Sequence, residues 1–307
     1  MTIRIAIVGL GKIASDRHIP AIDGDAGFVL AATVDPTAQP RDGVPHFGDL
    51  ASLLDSDIAI DAVAICTPPQ ARYDLAHMAL GAGKHVLVEK PPAATVTAAQ
   101  ALAATAQESG AVLFAAWHSR YAHGVAPARE WLQGRTILGV AIDWREDVRV
   151  WHPGQDWIFA PGGFGVFDPG INALSIATRI LPRPLMVEGG HLAVPENRAA
   201  PIAGNVRMLD TAGVPVTVTL DFLQEGPQTW YITIDTDEGR LTLSQGGRIL
   251  RTPDGESEGD DREYAEIYAA FAKAVAAGRS DADLTPLQLV ADAFMRCRSV
   301  VAPPFDG

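Results

Sequence analysis

The sequence predicts an α/β protein with two domains. The first is a doubly wound parallel sheet, and the second is an α+β domain with an open, largely antiparallel sheet. Over the first 118 residues, short apolar strands alternate with amphipathic helices, which is the pattern of a parallel sheet with right-handed crossovers. After His118, apolar residues recur with a period of two between short turns, as in antiparallel strands. We therefore expect one domain at 1–119 and a second at 120–307.

Five apolar strands separated by helical segments predict the N-terminal domain. The strands are expected at 3–9, 28–35, 61–66, 85–90 and 112–118. Helical spacing occupies 49–56, 72–83 and 96–110, and these segments end near Gly or Ser, as helices commonly do. Parallel strands joined in this way bring their carboxyl ends to one edge of the sheet, where open α/β sheets bind ligands.

One helix and a series of period-two strands predict the C-terminal domain. The helix is expected at 125–133 and the strands at 136–144, 206–211, 214–222, 229–236 and 240–245. The turn sequences DTAGVP and DTDEGR predict hairpin connections. Two closing helices are expected at 263–278 and 286–300. They either cover one face of this sheet or return to the first domain, and the pattern leaves both arrangements open.

The composition excludes several classes of protein. With 48% hydrophobic and 20% charged residues, the chain is globular rather than disordered. Its net charge of -13 repels phosphate backbones and anionic lipids, so neither nucleic acid nor a membrane is an expected partner. Cys66 and Cys297 lack the spacing of a disulfide framework or zinc site, so no metal is expected. Without a signal peptide or a membrane-spanning apolar run, a cytoplasmic protein is expected.

A glycine-rich turn follows the first strand. The sequence GLGKIA places Gly9, Gly11 and Ala14 directly before a helical segment. The first glycine permits a tight turn, the second lets the backbone approach a diphosphate, and Ala14 allows close packing between helix and strand. This context predicts a dinucleotide site that also includes Lys12 and Ile13, although such turns also arise for purely steric reasons.

Asp35 ends the second strand, where a carboxylate can accept hydrogen bonds from the adenosine ribose. Because the same charge repels a 2′-phosphate, we expect NAD to be preferred over NADP, with Arg41 nearby as a cation that softens the discrimination. The alternative is a turn aspartate before Pro36. After the third strand, Cys66, Thr67 and Pro68 are candidates for the floor of the cofactor site, or a turn that merely ends the strand.

Lys90 ends the fourth strand, just after Glu89 and before two prolines. A lysine can lose its proton when it is desolvated or lies beside another positive charge, whereas arginine effectively cannot. Lys90 is therefore a candidate catalytic residue, and Glu89 is assigned to the cofactor site. The alternative is an exposed lysine paired with Glu89.

Asp168 and Asn172 lie four residues apart at the start of a predicted helix, on the same side of its first turn. Both are candidate catalytic residues. The alternative for Asp168 is an N-cap, with Pro169 at the first helical position. The glycines at 162, 163, 165 and 170 indicate a backbone that approaches something closely, which favours a site at this turn.

Two further segments supply candidate substrate-binding residues. The segment 144–157 is dense in carboxylates, tryptophans and a histidine, groups that suit a polyhydroxylated ligand. Structural roles in the core or in surface ion pairs are the alternatives. His118 and Arg120 lie at the predicted domain junction. The candidates are His118, Arg120, Glu146, Trp151, His152 and Trp157.

The motifs GLGKIA, CTPP, VEKPP and FDPGIN resemble those of the glucose-fructose oxidoreductase, inositol dehydrogenase and rhizopine catabolism (MocA) family, over nearly the whole chain. The resemblance implies a Rossmann domain, an open-sheet domain, and a sugar bound between them. In many members, residues matching Lys90 and Asp168 contact the reacting hydroxyl together with a histidine. Asn172 stands where that histidine would be. Because an amide is not a general base, proton removal falls to Lys90 or Asp168.

The resemblance also implies an NAD(P)-dependent sugar 1-dehydrogenase that oxidises the anomeric C1 hydroxyl of an aldose to a lactone. Asp168 is expected to hold or deprotonate this hydroxyl, Lys90 to stabilise negative charge on oxygen, and Asn172 to orient the sugar. D-Galactose is the expected substrate, with L-arabinose or another aldose as the alternative. A regulator that senses NAD or a sugar without turnover is the alternative of another class. The open sheet face is a candidate homodimer interface.

Overall fold

The computed structural model describes residues 2–306, which divide into two compact units. The first unit comprises residues 2–118 together with Glu263–Leu284, and the second comprises Ser119–Arg262 together with residues 285–306. Met1 and Gly307, the outer limits of the two predicted domains, lie outside the described residues.

Within residues 2–306, the first unit contains a parallel sheet of six strands. Its strand order is β3-β2-β1-β4-β5-β6, which is the order of a Rossmann fold. The predicted α/β class and parallel sheet are confirmed, and every predicted strand of this domain is present within two residues of its expected limits. The strands are β1 Ile3–Val8, β2 Phe28–Val34, β3 His46–Phe47, β4 Ala62–Ile65, β5 His85–Glu89 and β6 Leu113–Ala116.

Helices connect these strands, and one helix reaches the unit from much later in the chain. Four of them follow the strands in order: α1 Ile19–Asp23, α2 Leu50–Leu54, α3 Pro69–Gly81 and α4 Val96–Ser109. The first of the two closing helices, here named α8 (Glu263–Ala277), also belongs to this unit. It is held there by aromatic residues, because Tyr268 and Phe271 pack against Phe28 and Phe271 packs against Phe114.

The strand order brings three loops to one edge of this sheet. Strands β1, β4 and β5 are adjacent and parallel, so the segments that follow them, at 9–13, 66–68 and 89–91, leave the same edge. The direction of the strand order changes at β1 and β4, and open α/β sheets bind their ligands at such a point. The candidate cofactor residues and Lys90 are all on these loops or next to them.

Within the described range, the second unit contains a mixed sheet of nine strands in the order β14-β13-β12-β11-β7-β10-β9-β8-β15. Most neighbouring pairs are antiparallel, and β10–β7 and β15–β8 are parallel. The predicted largely antiparallel sheet and both predicted hairpins are confirmed. The strands are β7 Ile137–Arg145, β8 Leu185–Pro195, β9 Ala203–Asp210, β10 Pro215–Asp221, β11 Thr229–Thr236, β12 Gly239–Ser244, β13 Ile249–Thr252, β14 Gly255–Glu258 and β15 Arg298–Ala302.

Four helices belong to this unit: α5 Val125–Trp131, α6 Val148–Trp151, α7 Phe167–Ile180 and α9 Thr285–Arg296. Helix α7 is buried along most of its length and packs on α5, α9 and strands of the sheet. A helix enclosed in this way fixes the positions of the side chains at its start. Asp168 and Asn172 are therefore on a rigid element.

One sequence expectation for the second unit is wrong, and a long strand was not predicted. The predicted helix at 286–300 ends at Arg296, and the residues after it form β15 at the edge of the sheet, parallel to β8. Strand β8 was not predicted, because Gly189 and Gly190 interrupt its apolar pattern and shift its register. Among residues 2–306 no helix combines the length and the apolar content that a bilayer crossing requires.

Candidate active site

Gly9 is required at the turn after β1. Its φ of +89° lies in the left-handed region, and a Cβ atom there would come within 2.9 Å of Thr67 Cγ2. Around Gly11, in contrast, no atom of the described chain beyond its immediate neighbours lies within 4 Å of the place of a Cβ. The first glycine thus lets two loops approach each other, and the second leaves open backbone that a diphosphate can approach.

The helical segment after this turn starts as predicted. Ala14 is fully buried, which allows the close packing expected of the third small residue. Lys12 is exposed and its ammonium bonds the carboxylate of Asp16, while Ile13 is half-buried. Lys12 and Ile13 remain predicted cofactor contacts through their position at the helix start.

The carboxylate of Asp35 organises the loop beside the glycine turn. It accepts the N–H of Leu10 at 2.9 Å, and the N–H groups of Thr37 and Ala38 at 2.8 Å each. Burial raises the pKa of Asp35, but these N–H donors outweigh it and hold the pKa below its ordinary value. Asp35 is therefore ionised at neutral pH. It acts as a turn aspartate and also lies against the glycine turn, so the two sequence interpretations are compatible.

Arg41, the cation that was expected to soften the discrimination between NAD and NADP, is paired with Asp23. Its guanidinium bonds both carboxylate oxygens of Asp23, the shorter at 2.8 Å. This pair is largely exposed to solvent. The charge of Asp35 is thus not neutralised by Arg41 in this structure.

Thr67 carries an unused polar atom at the predicted floor of the cofactor site. Its Oγ1 is buried and, among residues 2–306, has no hydrogen-bond partner. Buried hydroxyls in folded proteins are normally bonded, so a ligand with a polar group would satisfy this one. Cys66 beside it is buried, with its Sγ 3.9 Å from the carbonyl of Ala64, and Pro68 is exposed. Together with Gly9 and Gly11, the free Thr67 hydroxyl fits a dinucleotide.

Glu89 is an internal anchor of the first unit. It is only 2% exposed, and its carboxylate accepts hydrogen bonds from the Tyr264 hydroxyl at 2.6 Å and from the Lys90 N–H at 2.9 Å. The ring of His18 lies 3.0 Å from the same carboxylate. Its carboxylate is thus engaged by protein groups, whereas the sequence assigned it to the cofactor. Lys90 itself is half-buried at the carboxyl end of β5.

His118 ends the first unit and is held by helix α8. Its Nδ1 lies 2.5 Å from the Glu263 carboxylate, and its ring stacks on Tyr264. In the second unit, the guanidinium of Arg120 donates to the carbonyl of Ser175 at 3.1 Å and to the Thr178 hydroxyl at 3.2 Å. Both residues therefore have structural partners, and their contact with substrate stays a prediction.

Asp168 lies inside the first turn of α7 rather than at its cap. The helix begins at Phe167 after Val166, so the N-cap interpretation is wrong. Asp168 is 4% exposed, and its carboxylate Oδ2 lies 3.9 Å from Nδ1 of His152. Asn172 follows one turn later and is half-buried. A buried carboxylate near a helix N-terminus and a histidine is suited to proton transfer.

Within the second unit, a row of polar groups starts at Asp168. His152 faces Asp168 with Nδ1 and faces Glu146 with Nε2, at 3.0 Å from Oε1. The second oxygen of Glu146, a residue only 2% exposed, accepts the indole N–H of Trp230 at 2.8 Å. Glu146 therefore fixes the orientation of the His152 ring, as carboxylates do for histidines that bind or transfer protons.

Trp230 is a residue that the sequence analysis missed. Its ring packs against Trp151 and Trp144, with centroid distances of 4.8 and 5.9 Å. The indole Nε1 of Trp144 is buried and, within the described residues, has no partner. Indole rings provide an apolar face with a single donor, which suits the faces of a sugar ring. Trp230 lies opposite Trp144 on paired strands, and recognition of that pairing is the signal that would have revealed it.

A cavity of about 300 Å³ opens beside His152. Its lining includes Arg149 of α6, Gln155 and Asp156 of the segment that follows, and Arg198. Trp151 is exposed and Trp157 is half-buried. Glu146, His152 and Asp168 thus lie together, and His152 lines this cavity. Substrate binding by Trp151 and Trp157 stays a prediction.

The glycines before α7 have a packing role. A Cβ on Gly163 would lie 2.3 Å from the carbonyl oxygen of Ile158, and one on Gly165, whose φ is +52°, would lie 2.1 Å from that of Pro201. The backbone at this turn thus approaches other backbone. Packing thus explains the glycines at 163 and 165, and a site at this turn, which carries Asp168, stays a prediction. Among the residues described, no group of three or more His, Cys, Asp or Glu side chains has the geometry of a metal site.

Comparison with known proteins gives matches over both units. A family model described as an oxidoreductase family with an NAD-binding Rossmann fold matches residues 3–117. The chain is 46% identical to galactose 1-dehydrogenase of Pseudomonas fluorescens over 294 residues, which is 95% of each protein. These matches reach from the glycine turn to the closing helices.

Solved structures give the same result. The crystal structure of a D-galactose-1-dehydrogenase protein from Rhizobium etli superposes with a TM-score of 0.95, at 48% identity, covering 99% of this chain and 98% of that one. KijD10, a 3-ketoreductase from Actinomadura kijaniata in complex with NADP, has a TM-score of 0.84 at 22% identity, covering 99% of this chain and all of that one. The second likeness shows the fold alone.

Proposed function

We propose that this chain, which belongs to the oxidoreductase family with an NAD-binding Rossmann fold, oxidises the anomeric C1 hydroxyl of D-galactose to galactonolactone. The observation that carries the proposal is the identity of 46% and 48% to two galactose 1-dehydrogenases over almost the entire chain. Matches of this length include the substrate-binding unit as well as the common nucleotide-binding unit.

The reaction is a two-electron oxidation. The C1–H bond of the sugar breaks and its electron pair leaves with the hydrogen as hydride, while the O–H bond breaks and its proton passes to a base. A C1=O double bond forms and the ring becomes a lactone. NAD, when bound, supplies the acceptor for the hydride. The residues that fit it are Gly9, Gly11 and Thr67, with Asp35 at the ribose.

Asp168 is the proposed base. The contact between its carboxylate and His152 gives the proton a second acceptor, and Glu146 stabilises the imidazolium that would result. Asn172, one turn along α7, orients the sugar without titrating. Lys90 stabilises the negative charge that develops on the reacting oxygen. Exchange of the roles of Lys90 and Asp168 is the alternative.

Turnover of the purified protein tests the proposed function directly. Mixed with NAD and D-galactose, it is expected to produce NADH, followed by absorbance at 340 nm. The value of kcat/KM is expected to be higher for D-galactose than for L-arabinose, which lacks only the hydroxymethyl at C5, and the difference reflects pocket size. Binding of both ligands without NADH formation would instead support a sensing regulator. A higher kcat/KM for L-arabinose would support the arabinose alternative.

Asp35 is expected to set the preference for NAD. Replacing it by Asn keeps an acceptor for the turn but removes the negative charge that repels the 2′-phosphate of NADP. The ratio of kcat/KM for NAD to kcat/KM for NADP should therefore fall about tenfold. This factor corresponds to a loss of about 1.4 kcal/mol of repulsion. The ratio is measured from initial rates with each cofactor. Asp235→Asn, which breaks only the exposed pair with Arg240 in the second unit, is the matched control and should leave the ratio unchanged. An unaltered ratio in Asp35→Asn contradicts this role.

We also infer a homodimer and a cytoplasmic location. The outer face of the nine-stranded sheet exposes apolar side chains, among them Met186 and Tyr231, and such faces commonly form dimer interfaces. Both cysteines are free thiols, as is usual for proteins of a reducing compartment.

A further inference from the structure

A buried ionisable cluster lies beneath Lys90, within the first unit. Its members are His18, Glu89 and Tyr264, which are 0%, 2% and 6% exposed. None of the three was needed for the reaction above. A carboxylate removed from water is strongly destabilising unless it is paired and hydrogen-bonded. The burial of these ionisable groups is therefore best explained by the part of the structure that they hold in place.

Both oxygens of the Glu89 carboxylate are used. Oε1 lies 3.0 Å from Nε2 of His18 and accepts the Tyr264 hydroxyl at 2.6 Å, while Oε2 accepts the backbone N–H of Lys90 at 2.9 Å. One oxygen of the carboxylate is thus bonded by two buried donors, and the other oxygen accepts the backbone N–H of Lys90. The orientation of the Lys90 residue depends on the orientation of Glu89.

The cluster is an ion pair. Burial alone lowers the pKa of His18, but Cys66, Tyr268 and Glu89 act in the opposite direction and raise the pKa well above its ordinary value. Burial raises the pKa of Glu89, but the hydrogen bond and the charge of His18 outweigh it and lower the pKa to about 2. His18 is therefore a cation and Glu89 an anion at neutral pH. The hydrogen bond between them is charge-assisted.

Arg72 restrains the same turn from its other side. It is 5% exposed, and its guanidinium donates to the carbonyls of Glu89 at 3.0 Å and of Pro91 at 2.5 Å, on either side of Lys90. Its Nε donates to the Thr67 carbonyl at 2.8 Å. The backbone around Lys90 is thus fixed at its N–H and at both flanking carbonyls.

We propose that His18 and Tyr264 are positioning residues for the reaction: by clamping the Glu89 carboxylate they fix the backbone N–H of Lys90, and with it the direction of the Lys90 side chain. The proposal rests on the proposed function for the part that Lys90 plays in turnover. The clamp itself is a property of the first unit and is measurable without substrate.

Tyr264→Phe and Tyr268→Phe form a matched pair of variants. Both tyrosines are buried on helix α8 and both lose one hydroxyl, but the Tyr264 hydroxyl bonds Glu89 whereas that of Tyr268 bonds Nδ1 of His18 at 2.9 Å. The first readout is hydrogen exchange of the Lys90 backbone amide. In Tyr264→Phe this amide should exchange at least about tenfold faster, while amides in the centre of β1 keep their rates. In Tyr268→Phe the Lys90 amide should exchange clearly more slowly than in Tyr264→Phe, because the Tyr268 hydroxyl reaches Glu89 only through His18.

The second readout is turnover. Tyr264→Phe should lower kcat by about tenfold to a hundredfold, since a displaced group costs up to about that much, with the Kd for NADH within about twofold of wild type. His18→Gln, which keeps an N–H donor but no charge, should lie between Tyr264→Phe and wild type for both readouts. It provides a second test should Tyr264→Phe fail to fold.

Two results would overturn the proposal. One is an unchanged exchange rate of the Lys90 amide in both Tyr264→Phe and His18→Gln. The other is an equal loss of kcat in Tyr264→Phe and Tyr268→Phe, which would indicate a general effect of removing buried hydroxyls. Absence of turnover in the wild-type protein would refute the proposed function instead, and the exchange rates would still decide whether the clamp exists.

Discussion

Asp168→Asn is expected to lower kcat for the oxidation of D-galactose by about a hundredfold to ten-thousandfold, the range for loss of a general base. The amide has almost the same shape as the carboxylate, so the cavity and helix α7 should persist. The protein should lose no more than about 1 kcal/mol of stability, because Asp168 interacts with the N-terminal end of the helix dipole. Steady-state rates together with the thermal unfolding midpoint measure both effects.

A matched control for this variant is Asp143→Asn. Asp143 is also a carboxylate of the second unit, but it forms a surface pair with Arg145, and such pairs contribute little. Asp143→Asn should therefore keep wild-type kcat. If Asp168→Asn is stable and equally active, Asp168 has only a structural part at the start of α7, and the base has to be sought elsewhere.

Lys90→Met is expected to lower kcat by about a hundredfold or more, as for the loss of a group that stabilises charge in the transition state. Methionine has a similar length and no charge. The Kd for NADH, measured by nicotinamide fluorescence, should change little, because the glycine turn and Asp35 remain intact. The loss should therefore appear in kcat rather than in cofactor binding.

Lys84 offers a matched control at the opposite end of the same strand. It precedes β5, and its ammonium donates to the carbonyl of Ile60 at 3.1 Å. Lys84→Met should cost some stability and leave kcat unchanged. The pH profile of Lys90→Met identifies the base: if kcat still falls on acidification, Asp168 is the base, and if that dependence disappears, Lys90 is. Near-normal turnover of Lys90→Met removes the lysine from the mechanism.

Local patterns were sufficient to predict five of the six strands described in the first unit. Each of these five is a short, mainly apolar run, and the glycine turn gives the order of the first elements. The two-residue strand β3 was not predicted, and the return of α8 was left open. Strand β8 was missed because paired glycines break its alternation, and β15 because an apolar run directly after a helix looks like more of the helix. Both strands form because they pair with strands that are distant in sequence, and no local pattern contains that information.

The candidate site was predictable only in part, for a similar reason. The types of Glu146, His152 and Asp168 suggested polar chemistry, but their sequence separation gave no sign that His152 lies between the two carboxylates. Trp230 comes from a strand that was predicted correctly, yet its indole could be related to Glu146 only through the pairing of β11 with β7. The assignment of Glu89 to the cofactor site stays a prediction, and its buried contacts with His18 and Tyr264 were not foreseen because these residues are far away in sequence.

The return of α8 to the first unit has a consequence for how the polypeptide is made. Residues 2–118 leave the ribosome well before Tyr268 and Phe271, which cover Phe28 and Phe114 in the finished protein. At about 5–20 residues per second, this wait is on the order of ten seconds. During that time the nascent sheet exposes an aromatic surface to solvent, so chaperone binding to the growing chain is expected there. A fragment that stops at His118 keeps that surface uncovered permanently.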